Sequence, residues 1–262
     1  MDPAYSIVIP AYNESSRLGA SLEKILRYIA TRGWAAEVIV VNDGSTDDTA
    51  EIVRRLAQGN PTLRLIDNPG NRGKAYSVRN GILQARGGII VFSDADLSSP
   101  IEELPKLLQA LAEGADIAIG SRWVRPELQT QRQPLHRQFF GRVFNLGLRI
   151  VLGLKFKDTQ CGFKAFQQPA AQRIFSVQKI DRWGFDPEIL FLARKLGFRV
   201  QEVPVAWADC GGTRFRPLAD GSRTFLEILH IRWNDLSGKY DGPAPSGTQP
   251  AKPVPGGSRP QS

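Results

Sequence analysis

The segment 87–100, GGIIVFSDADLSSP, places an apolar run directly before two acidic residues. The run from Ile89 to Phe92 is short and mostly β-branched, which predicts a buried β-strand. Asp94 and Asp96 follow it, and the Ser-Ser-Pro sequence after them is typical of a helix start. Carboxylates at positions i and i+2 beyond a strand end can both reach one divalent cation and its phosphate ligands. The segment therefore predicts metal or phosphate chemistry, with simple helix capping as the alternative.

Similar short, β-branched runs lie on both sides of this segment, and apolar residues at helical spacing separate them. The further predicted strands are Ser6–Pro10, Glu37–Val41, Leu63–Ile66 and Asp116–Ile119. The strands and helices alternate from the first strand to the fifth. This order predicts an α/β fold with a mostly parallel central sheet that carries helices on both faces.

Polar residues also follow the first two predicted strands, at residues 11–14 and 42–47. Ligands of open α/β sheets bind at the carboxyl ends of the strands, so we expect these residues to meet the two acids in one crevice. Asp43 stands beside a glycine and is suited to accept hydrogen bonds from a nucleobase or ribose. Ser45 or Thr46 is predicted to cap the following helix.

The segment 70–75, GNRGKA, resembles a phosphate-binding loop only superficially. The spacing differs from that of a P-loop, and Ala75 stands where Ser or Thr is required. Gly73 and Lys74 nevertheless open a predicted helix. Backbone N–H groups and one cation at that position can bind a diphosphate or a base.

Almost all of the formal net charge of +8 lies in one segment. Residues 121–157 contain eight Lys or Arg and one Glu, which gives +7. Such a segment suggests an anionic partner, namely ligand phosphates, a membrane face or nucleic acid, with a solvated loop as the alternative. Arg122 and Arg137 bracket its first part, and either guanidinium is suited to bind an acceptor phosphate.

Several classes of protein are excluded or disfavoured by composition. The two cysteines, Cys161 and Cys210, are far apart and are predicted to be buried, inert thiols. The two histidines, His136 and His230, stand beside no acidic or cysteine cluster, which argues against a hydrolytic triad or a zinc site. The sequence has no apolar run long enough to span a membrane and no signal-peptide pattern, so we expect a cytoplasmic location.

The residues after Gly120 follow a different pattern. We predict an amphipathic helix over 137–152, a helix beginning near Asp186, a strand over 199–207 and a last helix over 222–236. Residues 242–262 are rich in Pro and Gly and contain no acidic or aromatic residue, which predicts disorder. The predicted organisation is one catalytic domain over 1–241, with a donor half (1–120) and an acceptor half (121–241).

Eight segments occur together in one order: VIPAYNES, VNDGSTDDT, NRGKAYSVRNG, FSDADLSSP, IAIGSR, DTQCGFKAF, FDPEILFLA and EVPVAW. With these segments in this order, the chain resembles the family-2 inverting glycosyltransferases from Ser6 to about Tyr240. Within that family it is most similar to the polyprenyl-phosphate branch, in particular the dolichyl-phosphate β-glucosyltransferases. The resemblance implies the GT-A type fold of nucleotide-diphosphosugar transferases. It also implies a UDP-hexose donor, most often UDP-glucose, and a lipid phosphate acceptor.

The resemblance also assigns roles to residues. Asp94 and Asp96 would hold Mg²⁺ or Mn²⁺ on the donor diphosphate, and Ser98 stands where some relatives supply a further ligand, a Gln. Arg122 and Arg137 would bind the acceptor phosphate. Gln160, Asp186 and Glu188 match positions near the sugar and the acceptor. The residues implied to contact the donor are Pro10, Tyr12, Glu14, Asp43, Gly73, Lys74, Asp94 and Ala95.

A phosphate acceptor is anionic at neutral pH, so inverting transfer to it needs positioning by cations but no strict general base. Transfer to a sugar or another soluble hydroxyl is the alternative, and it would make Asp186 the candidate base. The basic segment and helix 137–152 are suited to lie on the cytoplasmic face of an anionic membrane. Packing of that helix on the domain is the alternative. A basic nucleic-acid-binding module would leave the acids at three strand ends unexplained, so no nucleic-acid partner is expected.

Overall fold

The computed structural model of the 262-residue chain describes residues 2–131, 145–209 and 217–242. Four of the positions and segments singled out from the sequence lie outside these ranges. They are His136, Arg137 with the first part of its predicted helix, Cys210, and the tail after residue 242.

Strands from both sides of residue 120 form the central sheet. The strands of the described residues are β1 (Tyr5–Ala11), β2 (Ala36–Asn42), β3 (Leu63–Asp67), β4 (Ile89–Ser93), β5 (Ile117–Ser121), β6 (Gln129–Gln131), β7 (Phe163–Gln167), β8 (Val200–Pro204) and β9 (Trp207–Ala208). Seven of them form one sheet in the order β3-β2-β1-β4-β7-β5-β8, and β6 pairs with β9 separately. Within the large sheet only β7 is antiparallel to its neighbours, so the prediction of a mostly parallel sheet is confirmed.

Helices cover both faces of this sheet, as predicted. They are α1 (Leu18–Arg32), α2 (Thr49–Gln58), α3 (Lys74–Leu83), α4 (Leu104–Ala112), α5 (described over 145–152), α6 (Gln168–Val177), α7 (Phe185–Lys195) and α8 (Pro217–Leu236). Successive residues of a strand point to opposite faces. Accordingly Ile7 packs in the apolar layer with α1 and α4, whereas Val8 packs in the layer with α3, α6 and α7. Each fully buried Ile or Leu contributes about 1.5–3 kcal/mol to these layers.

The five strands predicted before residue 120 are all present, and their ends differ from the prediction by at most two residues. Two predictions in the second half are corrected. Residues 199–207 do not form one strand, because β8 ends at Pro204, which has no N–H to continue the ladder, and β9 pairs with β6 instead. The last helix begins at Pro217, five residues before the predicted start. The helix predicted near Asp186 begins at Phe185.

The prediction that Ser45 or Thr46 caps α2 is wrong. Both residues instead join the loop after β2 to the loop after β1: the Asn13 N–H donates to Ser45 Oγ at 2.9 Å, and the Thr46 N–H donates to Asn13 Oδ1 at 2.7 Å. The first N–H of α2, that of Thr49, donates to Asp47 Oδ1 at 3.1 Å. The carboxylate of Asp47 therefore accepts the hydrogen bond at the start of α2 that we predicted the hydroxyl of Ser45 or Thr46 to accept.

The structure also bears on the expectation about membrane-spanning segments. Among the residues it describes, no helix combines the length and the apolar character needed to cross a membrane.

Asp47 gives a test of the contact between these two loops. Burial opposes its ionisation, but hydrogen bonds from Thr49 and Ser15 outweigh burial and lower the pKa of Asp47 from 3.8 to about 2. A carboxylate with a lowered pKa stabilises the fold above its unfolded pKa and loses that contribution as the pH falls through the folded value. We expect Asp47→Asn to be less stable than the wild type at neutral pH, with a difference that vanishes as the pH falls from about 4 to about 2. Urea unfolding across this range measures it, and a difference that does not change with pH would contradict the assignment.

Candidate active site

The carboxyl ends of β1, β2 and β4 meet at one edge of the sheet, because these three strands are parallel neighbours. Asn13 and Ser45 join the first two loops, and the Glu14 N–H donates to Thr49 Oγ1 at 2.7 Å. Pro10 is buried in β1, whereas Tyr12 beyond it is 36% exposed. Hydrogen bonds thus fix the loops of this edge to one another, while side chains such as that of Tyr12 stay partly exposed to solvent.

Asp43 organises the loop that precedes α3. It is 3% exposed, and its carboxylate accepts hydrogen bonds from Asn68 Nδ2 and the Arg72 N–H at 2.9 Å each and from the Gly73 N–H at 2.8 Å. Gly44 allows the close approach, since a Cβ there would lie 2.6 Å from the Gly70 backbone. Asp43 therefore fixes the backbone next to Lys74. Its contact with the donor, implied by the family resemblance, stays a prediction.

Lys74 and Asp94 form an ion pair at the end of β4. Lys74 Nζ lies 2.6 Å from Asp94 Oδ1 and 5.5 Å from the ring centroids of both Phe92 and Trp183. Burial alone would lower the pKa of Lys74, but the negative charges of Asp94 and Asp186 outweigh burial and raise it. The ammonium therefore stays charged, and it is held against the first of the two predicted metal ligands.

Asp94 also depends on a glycine that the sequence reasoning did not single out. The Asp94 N–H donates to the carbonyl of Gly162 at 3.1 Å, and a Cβ at position 162 would overlap the Asp94 carboxylate. Gly162 precedes β7, which pairs with β4. The DTQCGFK segment is thus packed directly on the acidic edge.

Asp96 is linked to the loop after β1 through an arginine. Arg17 forms a two-point ion pair with Glu14, and Arg17 Nη1 lies 3.6 Å from Asp96 Oδ2. The other oxygen of Asp96 accepts a hydrogen bond from the Ser98 N–H at 3.0 Å. Arg17 therefore brings together two acids that the sequence places 82 residues apart. Ala95, between the two predicted metal ligands, is buried.

A second ion pair lies behind this edge. Lys164, the second residue of β7, is fully buried, and its Nζ contacts Asp186 Oδ1 at 2.6 Å and the Cys161 carbonyl oxygen at 2.5 Å. Burial raises the pKa of Asp186, and the nearby charges of Lys164 and Lys74 only partly offset this. Asp94, Lys74, Asp186 and Lys164 therefore form a cluster in which positive and negative charges alternate.

Arg122 lies beside this cluster and is held by a buried carboxylate. Its Nε and Nη2 donate to the two oxygens of Asp158 at 2.7 and 2.8 Å, and Asp158 is 2% exposed. Burial would raise the pKa of Asp158, but Arg122 outweighs burial and lowers it. The Gln160 N–H donates to the same carboxylate at 3.2 Å. The predicted acceptor-binding roles of Arg122 and Gln160 stay predictions.

Glu188 is hydrogen-bonded to backbone and side-chain groups of the fold. Its carboxylate is fully buried and accepts hydrogen bonds from the N–H groups of Lys179 and Ile180 at 2.9 Å each and from the Tyr240 hydroxyl at 2.7 Å. It thereby ties the loop before α7 to the segment after α8. Cys161 is buried, as predicted, and burial raises the pKa of its thiol to about 11.

The residues at the sheet edge fit a divalent cation shared with a diphosphate. Asp94 and Asp96 offer carboxylates that are 32% and 21% exposed. In the described ranges no group of three or more His, Cys, Asp or Glu side chains could enclose a metal ion. Mg²⁺ commonly binds through one or two carboxylates, with substrate phosphates and water completing its shell. Two accessible carboxylates match that donor set.

The Arg122–Asp158 pair gives a test of the local structure. We expect Arg122→Ala to lower the free energy of unfolding by about 3–5 kcal/mol, because it leaves a buried carboxylate without its cation. Chemical denaturation of Arg122→Ala, Asp158→Ala and the double variant measures the coupling. The double variant should lose less than the sum of the two single losses. Additive losses would show that the two side chains are energetically independent.

The chain is similar to known proteins over most of its length. The family described as Glycosyl transferase family 2 matches residues 6–175. A dolichyl-phosphate beta-glucosyltransferase of Trichomonas vaginalis is 40% identical over 222 residues, which cover 80% of this chain and 66% of that protein. The human dolichyl-phosphate beta-glucosyltransferase is 34% identical over 250 residues, which cover 90% of this chain and 76% of that protein. The chain thus spans about two thirds to three quarters of the length of these relatives.

Among solved structures, glucosyl-3-phosphoglycerate synthase from Mycobacterium tuberculosis, in complex with Mn²⁺, UDP and glucosyl-3-phosphoglycerate, has the same fold. The TM-score is 0.64 at 21% identity, over 94% of this chain and 82% of that one. This likeness confirms the predicted GT-A fold. Since the family matches more than half of the chain and the relatives exceed 30% identity, the chain belongs to glycosyl transferase family 2 and is a glycosyltransferase.

Proposed function

We propose that the protein transfers glucose from UDP-glucose to a polyprenyl phosphate, of which dolichyl phosphate is the first choice, with inversion at the sugar C1 and with Mg²⁺ or Mn²⁺. The observation that carries the proposal is the meeting of Asp94, Asp96 and Lys74 at the carboxyl edge of the sheet. The names of the curated relatives support the sugar and the acceptor, since both relatives are called dolichyl-phosphate beta-glucosyltransferases. The solved neighbour contains Mn²⁺ and UDP, which supports the metal and the nucleotide.

In the proposed reaction an oxygen of the lipid phosphate attacks the sugar C1 from the side opposite UDP. The new bond joins this oxygen to C1, the bond from C1 to the UDP oxygen breaks, and UDP leaves with its electron pair. The attack from the opposite side inverts C1, and no proton has to be removed from the acceptor. A bound divalent cation would neutralise charge on the diphosphate leaving group.

The chain's own residues prepare the edge for this reaction. Lys74 stays protonated beside Asp94, so it adds a positive charge where a diphosphate would lie. Asp43 holds the loop that ends at Gly73, and Arg17 holds Glu14 next to Asp96. These contacts fix the donor-side groups before substrate binds, which is the condition for electrostatic stabilisation without reorganisation.

Asp186 is proposed to act through charge rather than as a base. Its Oδ1 accepts a hydrogen bond from Lys164, and its carboxylate lies near Lys74. Burial raises the pKa of Asp186, which would suit a proton acceptor, but a phosphate acceptor has no proton to lose and needs none. A hydroxyl acceptor would need one, so the behaviour of Asp186 variants separates the two acceptor classes.

We further propose that donor binding falls in residues 1–120, acceptor binding in residues 121–241, and that the protein works at the cytoplasmic face of a membrane. The described part of α5 supports the membrane location, because its side chains Leu146 and Ile150 are 55% and 73% exposed. Exposed apolar side chains in a basic segment favour contact with an anionic lipid surface.

The reaction can be measured directly. We expect the protein to transfer labelled glucose from UDP-glucose to dolichyl or undecaprenyl phosphate in detergent, giving an organic-extractable product that disappears with EDTA and returns with Mg²⁺ or Mn²⁺. GDP-mannose should be a much poorer donor. Donor hydrolysis without labelled lipid, whatever metal is added, would contradict the lipid phosphate acceptor.

The two acids should differ in their effect on turnover. We expect Asp96→Ala to abolish transfer, whereas Asp186→Asn should only reduce it, because the amide can still accept the hydrogen bond from Lys164. Steady-state rates at saturating substrates measure both, and circular dichroism checks that each variant is folded. If Asp186→Asn abolished activity as completely as Asp96→Ala, the result would favour Asp186 as a general base and hence a hydroxyl acceptor.

A further inference from the structure

A partly exposed tryptophan lies beside the acids at the end of β4. Trp183 belongs to the loop before α7 and is 37% exposed. Lys74 Nζ lies over its ring, 5.5 Å from the ring centroid, and 2.6 Å from Asp94 Oδ1. The ring centre and the Asp94 carboxylate are therefore separated by no more than the sum of these two distances. An indole carries a large apolar area, so the exposed part of this ring offers a surface that a ligand can cover.

One face of the ring is turned towards the end of β4, because the Lys74 ammonium lies over it. Heavy atoms in contact are about 3.5–4.0 Å apart, so an ammonium 5.5 Å from the ring centre leaves that centre uncovered. The negative charges of Asp94 and Asp186 both act on Lys74. The ring, the ammonium and the two carboxylates are therefore close neighbours.

The loop that carries the ring packs on the start of α3. Arg79 Nη2 forms an ion pair with Asp181 Oδ1 at 2.7 Å, and the Tyr76 N–H donates to the Asp181 carbonyl at 3.3 Å. Gly73 has a φ of +104°, and a Cβ there would overlap the Asp181 carbonyl oxygen. A side chain at position 73 would therefore push this loop away from the donor side of the site.

Two carboxylates from other helices fix the loop at both ends. Glu188 of α7 accepts hydrogen bonds from the N–H groups of Lys179 and Ile180 at 2.9 Å each. Glu227 of α8 accepts one from the Gly184 N–H at 2.8 Å. The ring is thus carried by a backbone that three helices hold in place. A surface fixed before its ligand arrives loses little conformational freedom on binding.

A hexose has the shape to lie against such a ring. The C–H groups of a pyranose form apolar faces that match a flat aromatic surface, while most of its hydroxyl groups point outward. In a nucleotide-diphosphosugar the hexose is bonded to the second phosphate through one oxygen. A diphosphate bound beside Lys74 and Asp94 would therefore bring the hexose next to the Trp183 ring.

We propose that Trp183 packs against the hexose of the donor and holds it in place for attack at C1. This inference rests on the proposed function and deepens it. It names a residue that binds the transferred sugar, separate from the groups proposed to bind the metal and the diphosphate.

The test compares Trp183→Leu and Trp183→Phe with Trp233→Leu, which replaces a more exposed tryptophan on α8. Titration calorimetry with Mn²⁺ and without acceptor measures the Kd of UDP-glucose and the Kd of UDP. Trp183→Leu keeps an apolar side chain but no flat ring, so we expect it to raise the Kd of UDP-glucose about tenfold and to leave the Kd of UDP unchanged. Trp183→Phe should raise the Kd of UDP-glucose by no more than about threefold. Trp233→Leu should bind both nucleotides like the wild type.

An unchanged Kd of UDP-glucose in Trp183→Leu would overturn the inference. An equal loss of UDP binding would also overturn it, because the ring would then support Lys74 rather than the hexose. A rise in the acceptor KM alone would place the ring against the acceptor and would overturn it as well. Donor binding needs no acceptor, so a failure to transfer glucose to a lipid phosphate would contradict the proposed function while the binding comparison still decides the role of Trp183.

Discussion

The buried ammonium of Lys164 is the constraint on which the site depends. A fully buried charge is several kcal/mol too costly unless an opposite charge and hydrogen bonds compensate for it. Asp186 and the Cys161 carbonyl supply these partners at 2.6 and 2.5 Å. Because Lys164 lies in β7 and Asp186 lies in the first turn of α7, this ion pair fixes the helix against the sheet.

Through β7, the buried ion pair is connected to the sheet edge that holds Asp94. The strand is inserted antiparallel between β4 and β5, so Gly162 at its start meets Asp94 at the end of β4. Lys74 then bridges Asp94 and the charge of Asp186. The acids at the end of β4, the buried ion pair between β7 and α7, and the Arg122–Asp158 pair thus form one electrostatic unit in which each charge faces an opposite one.

The sequence predicts the parts of this unit that depend on local pattern. The run before Asp94 is short and β-branched, so both the strand and the acids at its end follow from neighbouring residues. The buried Lys164 could not be predicted, because a lysine inside an apolar strand makes sense only with a partner 22 residues away. Likewise Arg17 and the Arg122–Asp158 pair depend on contacts between distant segments. A lysine flanked by Phe163 and Ala165 is the one signal that could have drawn attention to this ion pair.

Asp94 and Asp96 are proposed to hold a divalent cation together with the diphosphate of a uridine nucleotide. Titration calorimetry of UDP against the protein, with Mn²⁺ and after EDTA treatment, tests it most directly. We expect UDP to bind tightly only with the metal, and we expect Asp96→Asn to remove most of the metal-dependent gain in UDP affinity. Binding of UDP that is equally strong in EDTA and unaffected by Asp96→Asn would contradict it.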